Sequence, residues 1–277
     1  MQHNGEIEVA WDMSVPDADI YLVGYGNRLP NDFTLEMLAI LKNCTRVFGV
    51  PPLRAPGFGI PEMENLMVHY GPDKKRRITY SEWLDRILDA AQADAPVAFA
   101  TYGSAMVGTW VAHRILEEAP RRGLKVHVSN AVSFLDGMFA DLNLEPFYGF
   151  SMWEATSFVT LGITPDTRAH LVLPQAPMFQ VHEGLDPQTH TLRHSTTVTE
   201  LRDHLLKFYP PGHEVTYIQA ASGTGTHNDE PVIERMRLAE LDHGGRSQGA
   251  TLLVPGLSRP RALDFESATA VPEQAAG

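Results

Sequence analysis

Cysteine is nearly absent from this chain of 277 residues, with Cys44 as its one example. We therefore exclude an intrachain disulfide and a cysteine-based zinc site, and we expect the reducing cytoplasm as the compartment. Histidines number twelve, but His190 and His194, which have helical spacing, lack an accompanying apolar face and a suitably placed acid. We do not predict a metal site.

Long apolar runs are missing as well, so we expect neither a secretory signal nor a membrane-spanning segment. Basic residues are also scarce, 22 against 34 acidic ones, and the net charge is −12. A surface of this sign repels phosphate backbones and anionic lipids, which argues against nucleic acid or a membrane as a partner.

Apolar residues nevertheless make up 43% of the chain and charged residues 20%, which is enough to bury a sizeable core. Apolar runs typical of buried strands alternate with stretches in which apolar residues recur every three or four positions, as in helices. Strands are predicted at 20–24, 97–101 and 125–128, and helices from a cap at Asn31-Asp32 to Leu41 and over 79–92, 107–118 and 133–142. This alternation predicts an α/β fold with a mostly parallel sheet covered by helices.

Proline, glycine and aromatic residues crowd the segment 145–150, which we interpret as a junction between two domains. An N-terminal α/β domain is predicted over 1–147. A C-terminal one is predicted over 148–266, with strands at 170–173, 214–220 and 251–254 and a helix near 199–208. Residues 267–277 are mostly small and are predicted to form a flexible tail.

Two glycine-containing turns follow predicted strands, at the edge of the sheet where open α/β proteins bind ligands. The first, Gly24-Tyr25-Gly26, lacks the further glycine and the acidic residue of a nicotinamide-binding fingerprint. The second, Tyr102-Gly103-Ser104, is not the Gly-x-Ser-x-Gly elbow of a hydrolase. From the residues alone, a ligand-binding turn and an ordinary tight turn both remain open.

One basic run, Lys74-Lys75-Arg76-Arg77, precedes the helix predicted from residue 79. If that helix extends back by one turn, Arg76 lies on the same face as Tyr80 and Trp83, while the other three basic side chains point away. An arginine beside tyrosines is either a structural anchor or a functional group, and the pattern leaves both interpretations open.

Taken in order, these segments resemble the tetrapyrrole methylase superfamily, in the strand and turn 20–26, the Tyr102 turn and the segment 132–142. Within it, Tyr70-Gly-Pro-Asp-Lys-Lys-Arg76-Arg-Ile-Thr-Tyr80 resembles the borosin peptide backbone N-methyltransferases, and 153–156 and 170–175 are similar to segments of that group. The likeness covers roughly residues 20–256. It departs from the family pattern at Asn130-Ala131 and at Ser104-Ala105-Met106.

The resemblance implies two α/β domains of the tetrapyrrole methylase type, an S-adenosylmethionine site in the cleft between them, and a homodimer. Residues 267–277 lack the Val/Ile-rich substrate stretch of fused borosins, so it also implies a separate precursor peptide as the substrate, as in the split borosins. The implied catalytic residues are Tyr70, Arg76, Tyr80 and Tyr102. The implied cofactor-binding residues are Gly24, Gly26, Tyr102, Gly103, Ser104, Val107, Ser133, Gln175 and Thr251.

A backbone amide nitrogen is a poor nucleophile, so its methylation requires stabilisation of the negative charge that develops as the proton leaves. By the resemblance, Arg76 holds the carbonyl oxygen, and Tyr80, made more acidic by that cation, takes the proton directly or through water. Tyr70 and Tyr102 hold the amide and the methyl group in line. Two alternatives stay open: methylation of a tetrapyrrole or another small molecule, and a non-catalytic scaffold that binds the cofactor.

Overall fold

The computed structural model describes residues 2–3, 6–7, 14–182, 184, 197–224, 227–228, 230–242 and 249–258. His190, His194 and the predicted tail 267–277 lie outside these residues. Two compact units make up the described chain. The first comprises the described parts of Met1–Met138, His182–Ser195 and Ala221–Glu230, and the second those of Phe139–Val181, Thr196–Ala220 and Pro231–Gly277.

A five-stranded, wholly parallel sheet forms the centre of the first unit. Its strands are β1 (Ile20–Gly24), β2 (Arg46–Val50), β3 (Glu64–Asn65), β4 (Val97–Thr101) and β5 (Val126–Val128), in the order β3-β2-β4-β1-β5. The helices of this unit are α1 (Leu35–Asn43), α2 (Arg76–Asp94) and α3 (Trp110–Glu118). Every residue of β1 and β4 is buried, as expected for central strands covered on both faces.

Alternate residues of the central strands face different helices, because successive side chains of a strand point to opposite faces. Tyr21 and Val23 of β1 belong to a core cluster with α1. Ile20 and Leu22 belong to a second cluster with α2 and α3, in which Trp83 is 2% exposed. The helix α1 therefore covers one face of the sheet, and α2 and α3 cover the other.

The mostly parallel sheet and the strands at 20–24 and 97–101 are confirmed. The predicted cap at Asn31-Asp32 is wrong: Thr34 caps α1, its hydroxyl accepting a hydrogen bond from the Met37 amide at 3.0 Å. Asp32 accepts instead from the amides of Asn27 and Arg28 in the preceding turn. The strand β2 was not predicted, since Gly49 interrupts its apolar run and a proline follows directly.

A five-stranded mixed sheet forms the second unit. Its strands are β6 (Phe150–Met152), β7 (His170–Leu173), β8 (Glu214–Gln219), β9 (Val232–Arg237) and β10 (Thr251–Val254), in the order β9-β8-β10-β7-β6. Only β6 and β7 pair in parallel. The remaining helices are α4 (Phe134–Leu142), which contains the boundary between the units, α5 (Ala155–Thr160) and α6 (Thr199–Leu205).

Shorter elements complete the described chain. Arg28–Leu29 pairs in parallel with Gly223–Thr224, which pairs with His227–Asn228, and Gln2–His3 pairs with Glu6–Ile7. Single 3₁₀ turns lie at Pro56–Phe58, Leu66–His69, Pro120–Arg122, Pro146–Tyr148, Ala176–Met178 and Leu238–Glu240. Within the described ranges, no helix has both the length and the apolar character needed to cross a membrane.

Candidate functional site

The strands β1 and β4 are neighbours in the sheet, yet the chain leaves them towards opposite faces. After β1 it forms α1 on one face, and after β4 it forms α3 on the other. This reversal is a topological switch point, and the carboxyl ends of the strands that flank it are where open α/β sheets bind ligands. Both glycine-containing turns singled out in the sequence lie there, at the ends of β1 and β4.

Gly24 allows three loops to meet at this point. A Cβ atom on Gly24 would lie 2.2 Å from the Gly103 carbonyl oxygen and 2.6 Å from the Ala131 Cβ. Both distances are far below van der Waals contact, so no other residue fits here. The turn after β1, the turn after β4 and the loop after β5 are thereby held together.

Gly26 and Gly103 join the two turns to each other. Each has a positive φ, 74° and 60°, which favours glycine. The Gly103 amide donates to the Gly26 carbonyl at 2.8 Å, and the Gly26 amide donates to the Gly103 carbonyl at 3.2 Å. Their backbone donors thus bond to each other, so these glycines shape the site rather than supply hydrogen bonds to a ligand.

Of the predicted cofactor residues after this bridge, Ser104 retains a polar group for a ligand. The Ser104 hydroxyl accepts from the Met106 amide at 3.3 Å and keeps its own proton to donate. The Val107 amide donates to the Ser104 carbonyl, and Gly108 has open space where a side chain would stand. Ser133 differs, because its amide and its hydroxyl both donate to Asp136 at 2.7 Å, which turns it towards its own helix.

The two predicted cofactor residues of the second unit, Gln175 and Thr251, differ in solvent exposure. Gln175 is exposed in the left-handed region, with φ 52°, and its carbonyl accepts from the Met178 amide. Thr251 is 3% exposed at the start of β10. A ligand role for either residue stays a prediction.

Three of the four predicted catalytic residues, Tyr70, Arg76 and Tyr80, lie at or just before the start of α2, which begins at Arg76. The fourth, Tyr102, directly follows β4. The Tyr70 hydroxyl donates to the Tyr80 hydroxyl at 3.2 Å. Both rings pack against Trp83, with centroid distances of 5.1 Å from Tyr70 and 5.3 Å from Tyr80. Tyr80 also lies nearly parallel to Trp110 of α3, at 6.2 Å.

Local hydrogen bonds fix Tyr70 against the helix. The His69 carbonyl accepts from Lys74 Nζ at 3.0 Å and from the hydroxyl of Thr79, which is fully buried in α2. The expectation that Lys74 points away is therefore wrong. Its side chain folds back and is half-buried, because the His69 carbonyl and the Glu82 carboxylate both bind its ammonium group. Lys75 and Arg77 are exposed, as predicted, and Arg76 is half-buried.

A segment distant in sequence crosses this loop. The Arg76 amide donates to the His182 carbonyl at 2.9 Å, and the Gly184 amide donates to the Lys74 carbonyl at 2.8 Å. A Cβ on Gly184 would lie 2.9 Å from the Gly71 carbonyl oxygen and 3.0 Å from the Tyr70 ring. The segment therefore holds the loop from Tyr70 to Arg76 in place, and it requires glycine where it passes Tyr70.

The surroundings of Tyr70 and Tyr102 raise the pKa of both hydroxyls. Burial raises the pKa of Tyr70 well above its ordinary value, the Tyr80 hydroxyl adds to the rise, and the positive charge of Arg76 opposes it. Tyr102 is 53% exposed as a residue, but desolvation of its hydroxyl still raises the pKa, and Tyr80 adds to this effect. Both phenols therefore stay protonated near neutral pH and act as hydrogen-bond donors. These effects place Tyr70 within electrostatic range of Arg76, Tyr80 and Tyr102, and Tyr102 within range of Tyr80.

A sequence profile of the tetrapyrrole (corrin/porphyrin) methylases matches residues 19–242. The chain belongs to this family. Members are S-adenosylmethionine-dependent methyltransferases, so membership assigns the chain to that class of enzyme. The loops at the switch point fit such a cofactor, because small residues leave room beside Gly108 and the Ser104 hydroxyl keeps a proton to donate.

The relatives of this family member include proteins named as both a methyltransferase and a cyclic peptide precursor. The chain is 25% identical over 278 residues to the methyltransferase and cyclic peptide dendrothelin A precursor of Dendrothele bispora, covering 92% of this chain and 63% of the relative. It is 31% identical over 226 residues to a methyltransferase and type I borosin cyclic peptide precursor of Serendipita vermifera subsp. bescii, covering 79% and 53%. The chain thus spans about half to two thirds of their length.

Solved structures give the fold. The methyltransferase CobJ superposes with a TM-score of 0.58 at 14% identity, over 88% of this chain and 96% of that one. The uroporphyrin-III-C-methyltransferase of Thermus thermophilus also gives 0.58, at 19% identity, over 86% and 94%. The predicted fold class of this methyltransferase is therefore confirmed.

Several residues of the site were not singled out from the sequence. Thr79, Trp110 and Gly184 were passed over because a buried threonine, an exposed tryptophan and a lone glycine have no local pattern that marks them. A tryptophan that opens a helix directly after a glycine-rich turn was a usable signal for Trp110. Across the residues that the structure describes, no three His, Cys, Asp or Glu side chains gather as a metal site would require.

Proposed function

We propose that this methyltransferase transfers the methyl group of S-adenosylmethionine to backbone amide nitrogens of a separate precursor peptide. The observation that supports this acceptor most is the hydroxyl pair of Tyr70 and Tyr80, at 3.2 Å, which joins the loop before α2 to a helix whose first residue is Arg76. The relatives named as methyltransferases with cyclic peptide precursors support a peptide substrate as well.

In this proposal, the residues of the cluster have distinct tasks. Arg76 binds the carbonyl oxygen of the acceptor amide through its donor fork, which stabilises the charge that forms as the amide loses its proton. Tyr80, acting as a phenolate, takes that proton directly or through water and releases it to solvent after the methyl transfer. Tyr70, kept neutral by burial, holds a hydrogen bond to Tyr80 and fixes its hydroxyl.

Tyr102 directly follows β4 and so belongs to the turn at the switch point. It also lies within electrostatic range of Tyr80. We assign it to both the switch point and the tyrosine cluster, as a neutral donor that orients the acceptor near the cofactor. Tyr102, Ser104 and Val107 would hold the cofactor, while Gly24, Gly26 and Gly103 keep their loops in position. When bound, S-adenosylmethionine supplies an electrophilic methyl group and leaves as a neutral thioether. We further propose that the enzyme acts as a homodimer in the cytoplasm.

The experiment compares acceptors directly. The purified chain is incubated with labelled S-adenosylmethionine and peptides encoded by neighbouring reading frames, and the intact mass of each peptide is followed. We expect an increase by one methylene per transfer, with fragmentation placing the group on backbone nitrogen. Methyl groups on side chains, or no transfer to any peptide, would contradict the proposal.

A tetrapyrrole acceptor is the second candidate, and the family itself favours it, since the solved relatives include a uroporphyrin methyltransferase. The basic residues at the start of α2 also suit an acceptor that carries carboxylates. Uroporphyrinogen III therefore belongs in the same experiment. Label in the porphyrinoid and none in peptide would establish the second candidate. Cofactor binding with no transfer to either acceptor would favour a scaffold.

A further inference from the structure

Two tryptophans contact the ring of Tyr80, and they differ in exposure. Trp83 is 2% exposed and belongs to the core between the sheet and α2. Trp110, the first residue of α3, is 42% exposed although its ring lies 6.2 Å from Tyr80 with an angle of 27° between the planes. The core accounts for Trp83. It does not account for the exposed part of Trp110, which lies in solvent next to the proposed proton acceptor.

A second side chain, that of Arg114, also holds the Trp110 ring in position. The guanidinium carbon of Arg114, one turn later in α3, lies 5.8 Å from the centre of the Trp110 ring. Arg114 is itself bound by the carboxylates of Glu117 and Glu118. An aromatic ring fixed in this way loses little conformational entropy when a ligand packs on it, which suits a binding surface.

The covalent geometry of a peptide acceptor places the side chain of the methylated residue beside the Trp110 ring. In a peptide, the Cβ of the methylated residue lies only about 2.5 Å from its own nitrogen. If that nitrogen is within hydrogen-bonding distance of Tyr80, the attached side chain begins within reach of the neighbouring Trp110 ring. A charged or absent side chain would leave the exposed indole surface in water, whereas an apolar one would cover it.

We propose that Trp110 is a specificity-determining residue, against which the side chain of the residue being methylated packs, and that it selects apolar side chains at that position. This inference rests on the proposed peptide acceptor, and it adds which residue of the enzyme reads the acceptor side chain. Trp110 takes no part in the proton transfer itself.

The test uses the peptide methylated in the experiment above, synthesised with glycine, valine, isoleucine or lysine at the modified position. Trp110→Ala and Trp110→Phe are compared with the unchanged enzyme. Phe58→Ala is the matched control, because Phe58 is also an exposed aromatic of the first unit, 39% exposed and in edge contact with Phe33. The thermal midpoint and the dissociation constant for S-adenosylmethionine establish that each variant is folded.

We expect the unchanged enzyme to prefer valine over glycine by about tenfold in kcat/KM, the order expected for covering one apolar side chain. Trp110→Ala should remove this preference mainly through KM, Trp110→Phe should restore most of it, and Phe58→Ala should retain it. A preference that survives in folded Trp110→Ala would overturn the inference and leave the peptide acceptor intact. Failure of the unchanged enzyme to methylate any peptide would overturn both.

Discussion

The helices α2 and α5 begin in opposite ways. At α5, the Glu154 carboxylate accepts hydrogen bonds from the amides of Thr156 and Ser157, at 2.9 and 2.7 Å, and so supplies the negative charge that a helix start favours. At α2, the cap residue Lys75 makes no side-chain bond to the helix, and the first turn has no acid but two arginines. Positive charge at the positive end of a helix dipole costs stability.

This difference indicates what each helix start is for. The start of α5 follows the rules that stabilise a helix, and a structural role explains it fully. The start of α2 departs from them and places one of its cations, Arg76, within electrostatic range of Tyr70, whose hydroxyl pairs with that of Tyr80. Departures from local stability concentrate at functional sites, where the same groups bind a ligand or stabilise a developing charge.

The largest effect is expected at Arg76. Arg76→Lys replaces a donor fork by a point charge, and we expect methylation to fall roughly 10³-fold while S-adenosylmethionine still binds. Arg77→Lys is the matched control, since Arg77 is the next residue and is exposed. Peptide mass kinetics and calorimetry of cofactor binding provide the measurements. Near-normal turnover in Arg76→Lys would remove Arg76 from its proposed role and leave α2 with a merely unfavourable start.

A smaller loss is expected at Tyr80. Tyr80→Phe removes the proposed proton acceptor and should slow methylation roughly 10²-fold. Tyr209→Phe in the second unit is the control. The Tyr209 hydroxyl is buried, has no hydrogen-bond partner among the described residues, and has its pKa raised to about 12 by burial and by Asp166. Removing that hydroxyl should leave methylation unchanged and alter the free energy of unfolding by less than about 1 kcal/mol. Equal losses of activity in both variants would contradict a special role for Tyr80.

Glu154 offers a test of stability alone. Partial burial raises its pKa, but hydrogen bonds from the Thr156 and Ser157 amides outweigh this, so the pKa lies below its usual value of 4.5. The carboxylate therefore contributes stability above that pH and loses it as the pH falls through the lower value of the folded state. Glu154→Ala should lower the free energy of unfolding by about 1 kcal/mol at neutral pH.

The pH dependence of denaturant unfolding completes this test. The difference between Glu154→Ala and the unchanged chain should shrink as the pH falls below 4.5, because the protonated carboxyl group is a weaker acceptor. A difference that stays constant across this range would show that the cap is not the cause.

The smallest effect is expected where α2 is made to resemble α5. Lys75→Ser supplies the missing cap at an exposed position and should raise the free energy of unfolding by about 0.5–1 kcal/mol. Methylation should persist, because Arg76 rather than Lys75 carries the proposed charge. A tenfold loss of turnover in this folded variant would assign the whole basic run to the site.

Periodicity and composition were enough to predict much of the first unit. The strands 20–24 and 97–101 and the helix predicted over 79–92 follow from local spacing, because burial on both faces and amphipathic packing leave direct traces in the sequence. The start of α2 at Arg76 was only a condition of the prediction. The prediction failed for Lys74, which folds back onto a carbonyl. It also missed β2, whose apolar run is short and broken by glycine.

The residue types and their spacing thus determined by themselves a parallel α/β sheet, the face of α2 that carries Arg76, Tyr80 and Trp83, and the family to which the chain is similar. Only the tertiary structure decided that Gly26 and Gly103 bond to each other, that the segment at His182 and Gly184 holds the loop of Tyr70, and that Trp110 stays exposed beside Tyr80. The reason is physical: spacing along one element fixes which face a side chain occupies, whereas contacts between distant segments depend on how the chain returns in space.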